Sequence, residues 1–123
     1  MVLKRIDHAA INVKNLQKTF DWYHKVFGFE IIHQWTHTWM IGNEVIKLGV
    51  FERPDASVIS NIEKNIIAIQ HFAFLIDKTD FVAAVEEIDN LGIPHEPVED
   101  TGIALSVFLS DPDGHQVEIT TYY

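Results

Sequence analysis

The sequence predicts an α+β fold made of two copies of one β-α-β-β-β unit, and three observations predict it. The strand-like phrase Ile6-Asp7-His8-Ala9-Ala10 returns as Ile69-Gln70-His71-Phe72-Ala73, 63 residues later. Phe27-Gly28-Phe29 is echoed by Leu91-Gly92-Ile93 at a spacing of 64. Each of these glycines closes a stretch of helical periodicity and precedes a series of short β-rich runs. A duplicated unit tolerates one residue of slippage between its echoes.

The elements follow in order. Residues 5–13 alternate around β-branched side chains and read as a strand, with Ile6, His8 and Ala10 on one face and Ala9, Ile11 and Val13 on the other. Lys14-Asn15 supplies a turn and an N-cap. From Leu16 to Phe27 the apolar positions Leu16, Phe20, Tyr23, Val26 and Phe27 recur at helical spacing, and Gly28 stands where a glycine ends a helix. Phe29 to Trp35, Thr38 to Ile41 and Glu44 to Phe51 read as strands, with Gly42-Asn43 as the tight turn between the last two. Around Arg53-Pro54-Asp55 periodicity is lost. One domain over 1–123 is therefore expected to hold unit one at 1–52, a linker at 53–66 and unit two at 67–123. In the second unit Ile67 to Ile76 is a strand, and Thr79 or Asp80 caps a helix through Leu91 that Gly92 ends. Pro94 to Val98, Ala104 to Ser110 and Gln116 to Thr121 are the remaining strands. Asp111-Pro112-Asp113-Gly114 has turn chemistry at each position and fixes the register of the last strand.

Bulk properties exclude several functions. A chain of 123 residues that is 47% hydrophobic can bury one shared core but not two independent ones. A net charge of −9, with nine scattered Lys and Arg, excludes nucleic acid and anionic membrane as partners, because both need basic patches. The absence of cysteine excludes a disulfide framework and a thiolate nucleophile, so any metal must be held by imidazole and carboxylate. The N-terminus lacks a signal-peptide pattern and no run approaches a membrane span, which points to a cytoplasmic address.

The chemistry concentrates in three residues. His8 and His71 occupy matching positions of the two units, and a twofold relation between duplicated units brings such positions together. Glu118 shares its strand face with Gln116 and Thr120, opposite Val117 and Ile119. Two imidazoles and one carboxylate suit one divalent ion of Fe, Mn, Co, Ni or Zn, with coordination positions left for water or substrate. The competing reading makes the histidines ordinary hydrogen-bonded strand residues and Glu118 a solvated carboxylate. His24, His33, His37, His95 and His115 show no comparable pairing.

Four stretches resemble the vicinal oxygen chelate superfamily, which includes glyoxalase I, extradiol dioxygenases, fosfomycin-resistance enzymes and bleomycin-resistance proteins. They are Ile6-Asp7-His8, Trp22-Tyr23-His24-Lys25-Val26-Phe27-Gly28-Phe29, His71-Phe72-Ala73-Phe74, and Asp111-Pro112-Asp113-Gly114-His115-Gln116-Val117-Glu118. The resemblance implies two paired βαβββ units whose sheets curl into a cup with helices outside, and a homodimer. It places His8, His71 and Glu118 on three of four family metal positions, and Lys47 on the fourth. A lysine there disfavours glyoxalase I itself; it is either an anchor for an anionic substrate or a solvated edge residue. The basic tail of fosfomycin-type enzymes is not expected after Tyr122-Tyr123, which leaves fosfomycin resistance weakly supported by the resemblance.

The implied function is that of a divalent-metal-dependent enzyme on a small oxygen-chelating substrate. Trp35 and Trp39 are candidate pocket walls, with hairpin packing as their alternative role. Two rivals remain: a small extradiol-type ring-cleaving dioxygenase, and a metal-free, ligand-sequestering protein of the bleomycin-resistance kind.

Overall fold

The computed structural model describes residues 1–58 and 66–123, and the chain divides into two compact units, Met1–Ser57 and Val58–Tyr123. Positions 59–65 of the expected linker lie outside the described residues.

In the first unit, strand β1 (Ala9–Val13) leads into helix α1 (Leu16–Phe27), then β2 (Glu30–Gln34), β3 (Thr38–Gly42) and β4 (Lys47–Glu52). The helix begins where predicted because the Asn15 side chain accepts from the Lys18 N–H at 2.8 Å. It ends where predicted because Gly28 takes φ 69° and donates its N–H to the His24 carbonyl. The sheet order is β1-β4-β3-β2, parallel between β1 and β4 and antiparallel elsewhere. The helix packs on this sheet, burying Leu16, Thr19 and Tyr23 alongside Val13, Phe29, Ile41, Leu48 and Val50. Tyr23 and Phe29 stack with ring centroids 6.0 Å apart.

The second unit repeats the plan. Strand β5 (Phe72–Leu75) is followed by a 3-10 turn (Lys78–Asp80), helix α2 (Phe81–Asn90), β6 (Glu99–Asp100), β7 (Ala104–Ser110) and β8 (Gln116–Tyr122). Its sheet order is β5-β8-β7-β6, with β5 parallel to β8. Phe81, Ile88, Ile93, Val107, Leu109, Val117 and Ile119 are buried. The α+β fold of two βαβββ units is therefore present.

Three boundaries differ from expectation for identifiable reasons. The first strand of each unit is shorter, so His8 and His71 stand immediately before β1 and β5 rather than within them. The turn after β3 extends over 43–46 because Asn43 Oδ1 accepts from the N–H groups of Val45 and Ile46. Gly42 is needed there, since at φ 151° a β-carbon would collide with the Ile46 carbonyl. The strand expected over Pro94 to Val98 reduces to a single bridge between His95 and Leu109. Pro94 and Pro97 have no N–H to give a ladder.

The turn before β8 forms as predicted. Asp111 Oδ1 accepts from the N–H groups of Asp113 and His115, and Gly114 donates to the Asp111 carbonyl at 3.0 Å with φ 89°. This turn sets the pairing of Phe108 with Glu118 across β7 and β8.

Candidate functional site

His71 and Glu118 meet. His71 Nε2 lies 3.0 Å from Glu118 Oε2, although 47 residues of chain, 118 minus 71, separate them. The register explains the meeting: Ala73 on β5 pairs with Glu118 on β8, so the residue ahead of β5 reaches the face that the glutamate occupies. The far ends of both side chains are tied down. His71 Nδ1 donates to Gln70 Oε1 at 3.0 Å. Glu118 Oε1 accepts from Ser106 Oγ at 2.5 Å, and Ser106 in turn contacts Thr120 Oγ1 at 3.0 Å. Phe108 closes one side, its ring perpendicular to that of His71 with centroids 5.2 Å apart.

These contacts determine what can lie between the two residues. With the Nδ1 proton given to Gln70, a neutral His71 presents a lone pair on Nε2, and Glu118 also presents a lone pair. Two acceptors at 3.0 Å need a proton or a cation between them. Ligand bonds of about 2.1 Å at right angles separate two ligand atoms by about 3.0 Å, so the pair fits one edge of a metal coordination sphere.

His8 belongs to the first unit and carries the same attachment. Its Nδ1 donates to Asp7 Oδ2 at 2.9 Å, so the side chain just before each histidine takes the Nδ1 proton. Asp7 also accepts from Lys47 Nζ through Oδ1 at 2.9 Å. The His8 hydrogen bond, followed by the Lys47 contacts, holds the Asp7 carboxyl at a pKa of about 2. Among the described residues no group of three His, Asp or Glu stands as a metal centre. One unit supplies His71 and Glu118; His8 lies in the other.

The first unit contains an open pocket of ≈ 400 Å³ lined by His8, Trp35, Thr38, Met40, Gly49 and Phe51. Its position follows from the repeat. Ala10 pairs with Gly49 as Ala73 pairs with Glu118, and Thr38 pairs with Phe51 as Ser106 pairs with Thr120. Met40 opposite Gly49 likewise corresponds to Phe108 opposite Glu118. The pocket wall of one unit is thus the counterpart of the carboxylate-and-hydroxyl cluster of the other.

Two expectations are corrected by this register. The first-unit counterpart of Glu118 is Gly49 and not Lys47, which lies two residues earlier and corresponds to Gln116. Lys47 Nζ is occupied by Asp7. Trp39 does not line the pocket: strand alternation turns it to the helix side, where its ring meets Phe20 of α1 edge-on at 6.3 Å. Trp35 does line the pocket and packs against His33 at 4.5 Å. Sequence reasoning missed Asp7, Gln70, Ser106, Thr38, Met40 and Phe51. An oxygen-bearing residue before the histidine in both echoes was a readable signal for the first two.

Comparison with known proteins agrees with this architecture. Residues 5–119 match the model of the Glyoxalase/Bleomycin resistance protein/Dioxygenase superfamily. The chain is 30% identical to virulence protein STM3117 of Salmonella typhimurium, over 99% of its own length and 87% of that protein's. It is 27% identical to the catechol-2,3-dioxygenase of Bacillus subtilis, over 93% of its own length but only 40% of that longer relative's. Among solved structures, a glyoxalase/dioxygenase from Nostoc punctiforme superposes with a TM-score of 0.79 at 26% identity, covering 100% of this chain and 97% of that one. No helix is long and apolar enough to cross a membrane among the described residues. The duplicated βαβββ units and the full-length match together place the chain in the Glyoxalase/Bleomycin resistance protein/Dioxygenase superfamily.

Proposed function

We propose that the protein is a divalent-metal-dependent enzyme acting on a small substrate that chelates through two oxygens. The observation that carries this is the 3.0 Å approach of His71 Nε2 to Glu118 Oε2, with Gln70 and Ser106 fixing the remote ends. His8 is the proposed third ligand, and its Nε2 is the atom it would offer. Bound there, the ion would supply Lewis acidity and stabilise an oxyanion on the substrate. The chain's own groups orient and exclude. Ser106 holds one carboxylate oxygen so that the other points at His71. The first-unit pocket receives the apolar part of the substrate, because Trp35, Met40 and Phe51 dominate its wall.

The test is metal analysis of protein purified without chelator or histidine tag. One divalent ion per chain, lost in His71→Ala, supports the reading. No metal in the wild type after reconstitution with Fe, Mn, Co, Ni or Zn removes it and leaves ligand sequestration by the pocket.

A second reading has its own observation. The aromatic and thioether wall beside His8 suits a flat ring, and the B. subtilis relative is a catechol-2,3-dioxygenase. Ring cleavage predicts dioxygen uptake with a catechol in the Fe(II)- or Mn(II)-loaded protein, and none with either metal sinks it. The proposal includes a cytoplasmic homodimer, the assembly the family resemblance implies. Light scattering at the mass of two chains supports the dimer, and the mass of one rejects it.

A further inference from the structure

We infer that Asp7 is a positioning residue for His8: it selects the tautomer that exposes Nε2, and Lys47 holds it in place. This rests on the reading of His8 as a metal ligand. Three observations carry it. Asp7 divides its two oxygens, Oδ2 to His8 Nδ1 and Oδ1 to Lys47 Nζ, each at 2.9 Å. Lys47 comes from the start of β4, 40 residues away, so the carboxylate is gripped from a second strand rather than from its neighbour alone. In the second unit the same position holds Gln70, whose oxygen takes the Nδ1 proton of His71.

The repeat gives the contact its meaning. Gln70 and Gln116 stand where Asp7 and Lys47 stand, by the same register that makes Gly49 the counterpart of Glu118. Both units therefore keep an oxygen on Nδ1, and only the first makes it a charged carboxylate anchored by a cation. A neutral imidazole has one proton for two nitrogens. An acceptor fixed at Nδ1 keeps that proton there and leaves the Nε2 lone pair outward, the form a metal requires. His8 also lines the pocket, so its ring orientation fixes where an apolar ligand would meet that nitrogen.

The experiment compares wild type, Asp7→Ala, Asp7→Asn and His8→Ala, with Co(II) titration and 15N-detected histidine NMR of the metal-free protein at a pH where His8 is neutral. Asp7 is exposed, and circular dichroism checks that each variant folds. In wild type the NMR spectrum should show His8 protonated on Nδ1. Asp7→Ala should move the proton to Nε2 and weaken Co(II) binding about 10- to 100-fold. Asp7→Asn should restore both to near wild type, since an amide oxygen accepts the same bond that Gln70 accepts. An unchanged tautomer in Asp7→Ala overturns the inference, as does unchanged Co(II) affinity in that variant when His8→Ala loses it. If His8→Ala binds Co(II) as wild type does, the ligand reading of His8 fails, and the tautomer measurement still decides the role of Asp7.

Discussion

The two units share one register and differ in what they place on it. The second puts Glu118, Ser106 and Thr120 on the face beside His71; the first puts Gly49, Thr38 and Phe51 on the corresponding face beside His8. One face gathers a carboxylate and two hydroxyls into a hydrogen-bonded chain, and the other opens a pocket with a mainly apolar wall. Duplication supplied two equivalent positions, and the proposed function assigns one to ligation and the other to binding. Interchanging or deleting these residues tests that division.

The largest effect should come from Glu118→Ala. It removes the carboxylate that faces His71 and leaves Ser106, which is 2% exposed, with Thr120 Oγ1 in place of a charged acceptor. Metal content should fall from one ion per chain to none by plasma mass spectrometry, and the loss of the hydrogen bond from Ser106 to a charged carboxylate should cost about 1.5–3 kcal/mol in denaturant unfolding. Retention of the ion would mean that His71 and Glu118 do not hold it.

Gly49→Glu carries the second unit's carboxylate into the first. Its backbone is outside the left-handed region, and a β-carbon would meet Phe51 Cε2 at 3.4 Å and Ala10 Cβ at 3.6 Å, ordinary contact distances. The variant should fold, keep its metal, and lose about 10-fold or more in affinity for an apolar aromatic probe, because a charge would enter the apolar wall. Trp35 fluorescence reads the binding. Unchanged affinity would show that the pocket is not the ligand-binding face. A smaller effect is expected of Ser106→Ala, which should weaken metal binding about 10-fold by freeing the outer oxygen of Glu118. Equal affinity in a titration would reduce Ser106 to a packing role.

The same comparison shows what was legible in the sequence. The two echoes, with Gly28 and Gly92 in the left-handed region, fixed both helices because an apolar stripe and a glycine end are local signals. The N-cap side chain holds at α1 through Asn15, whereas at α2 Asp80 stands at the cap position without a side-chain cap bond, contrary to the expected Thr79 or Asp80 cap. Asp111 and Gly114 likewise fixed the turn before β8. Glu118 could be assigned to a face by parity, since alternation is also local. Lys47 could not be aligned, because the turn between β3 and β4 absorbs residues 43–46 and only strand pairing reveals that Gly49 is the counterpart. Trp39 was misplaced for a related reason: an aromatic residue on a strand fits a pocket or a helix face equally well until its partner, Phe20, is known. The grip of Lys47 on Asp7 spans 40 residues and had no sequence signal.

The units also differ in how their second strand is attached, and this yields the smallest effect. β2 runs along β3 through paired residues from Glu30 to Gln34, whereas after α2 the counterpart is split into the isolated bridge of His95 to Leu109 and the two-residue β6, where Glu99 and Asp100 pair with Ser106 and Leu105. His95 reinforces that bridge with both ring nitrogens: Nδ1 donates to the Glu96 carbonyl at 2.7 Å and Nε2 donates to Asp89 Oδ1 at 2.8 Å. Only the imidazolium can make both bonds, and the Glu96 carbonyl, followed by the Asp89 carboxylate, raises the His95 pKa above its ordinary 6.5. A pKa raised by folding gives stability that is complete below the unfolded value of about 6.5 and is lost as pH rises through the folded value. The side chain of Asp89 is exposed, so solvent screening keeps the contribution below about 1 kcal/mol. His95→Gln should therefore lower the melting temperature at pH 5.5 by a few degrees at most and by less at pH 8.5. A deficit that grew with pH would show that His95 is held neutral, and the weak bridge would then need another support.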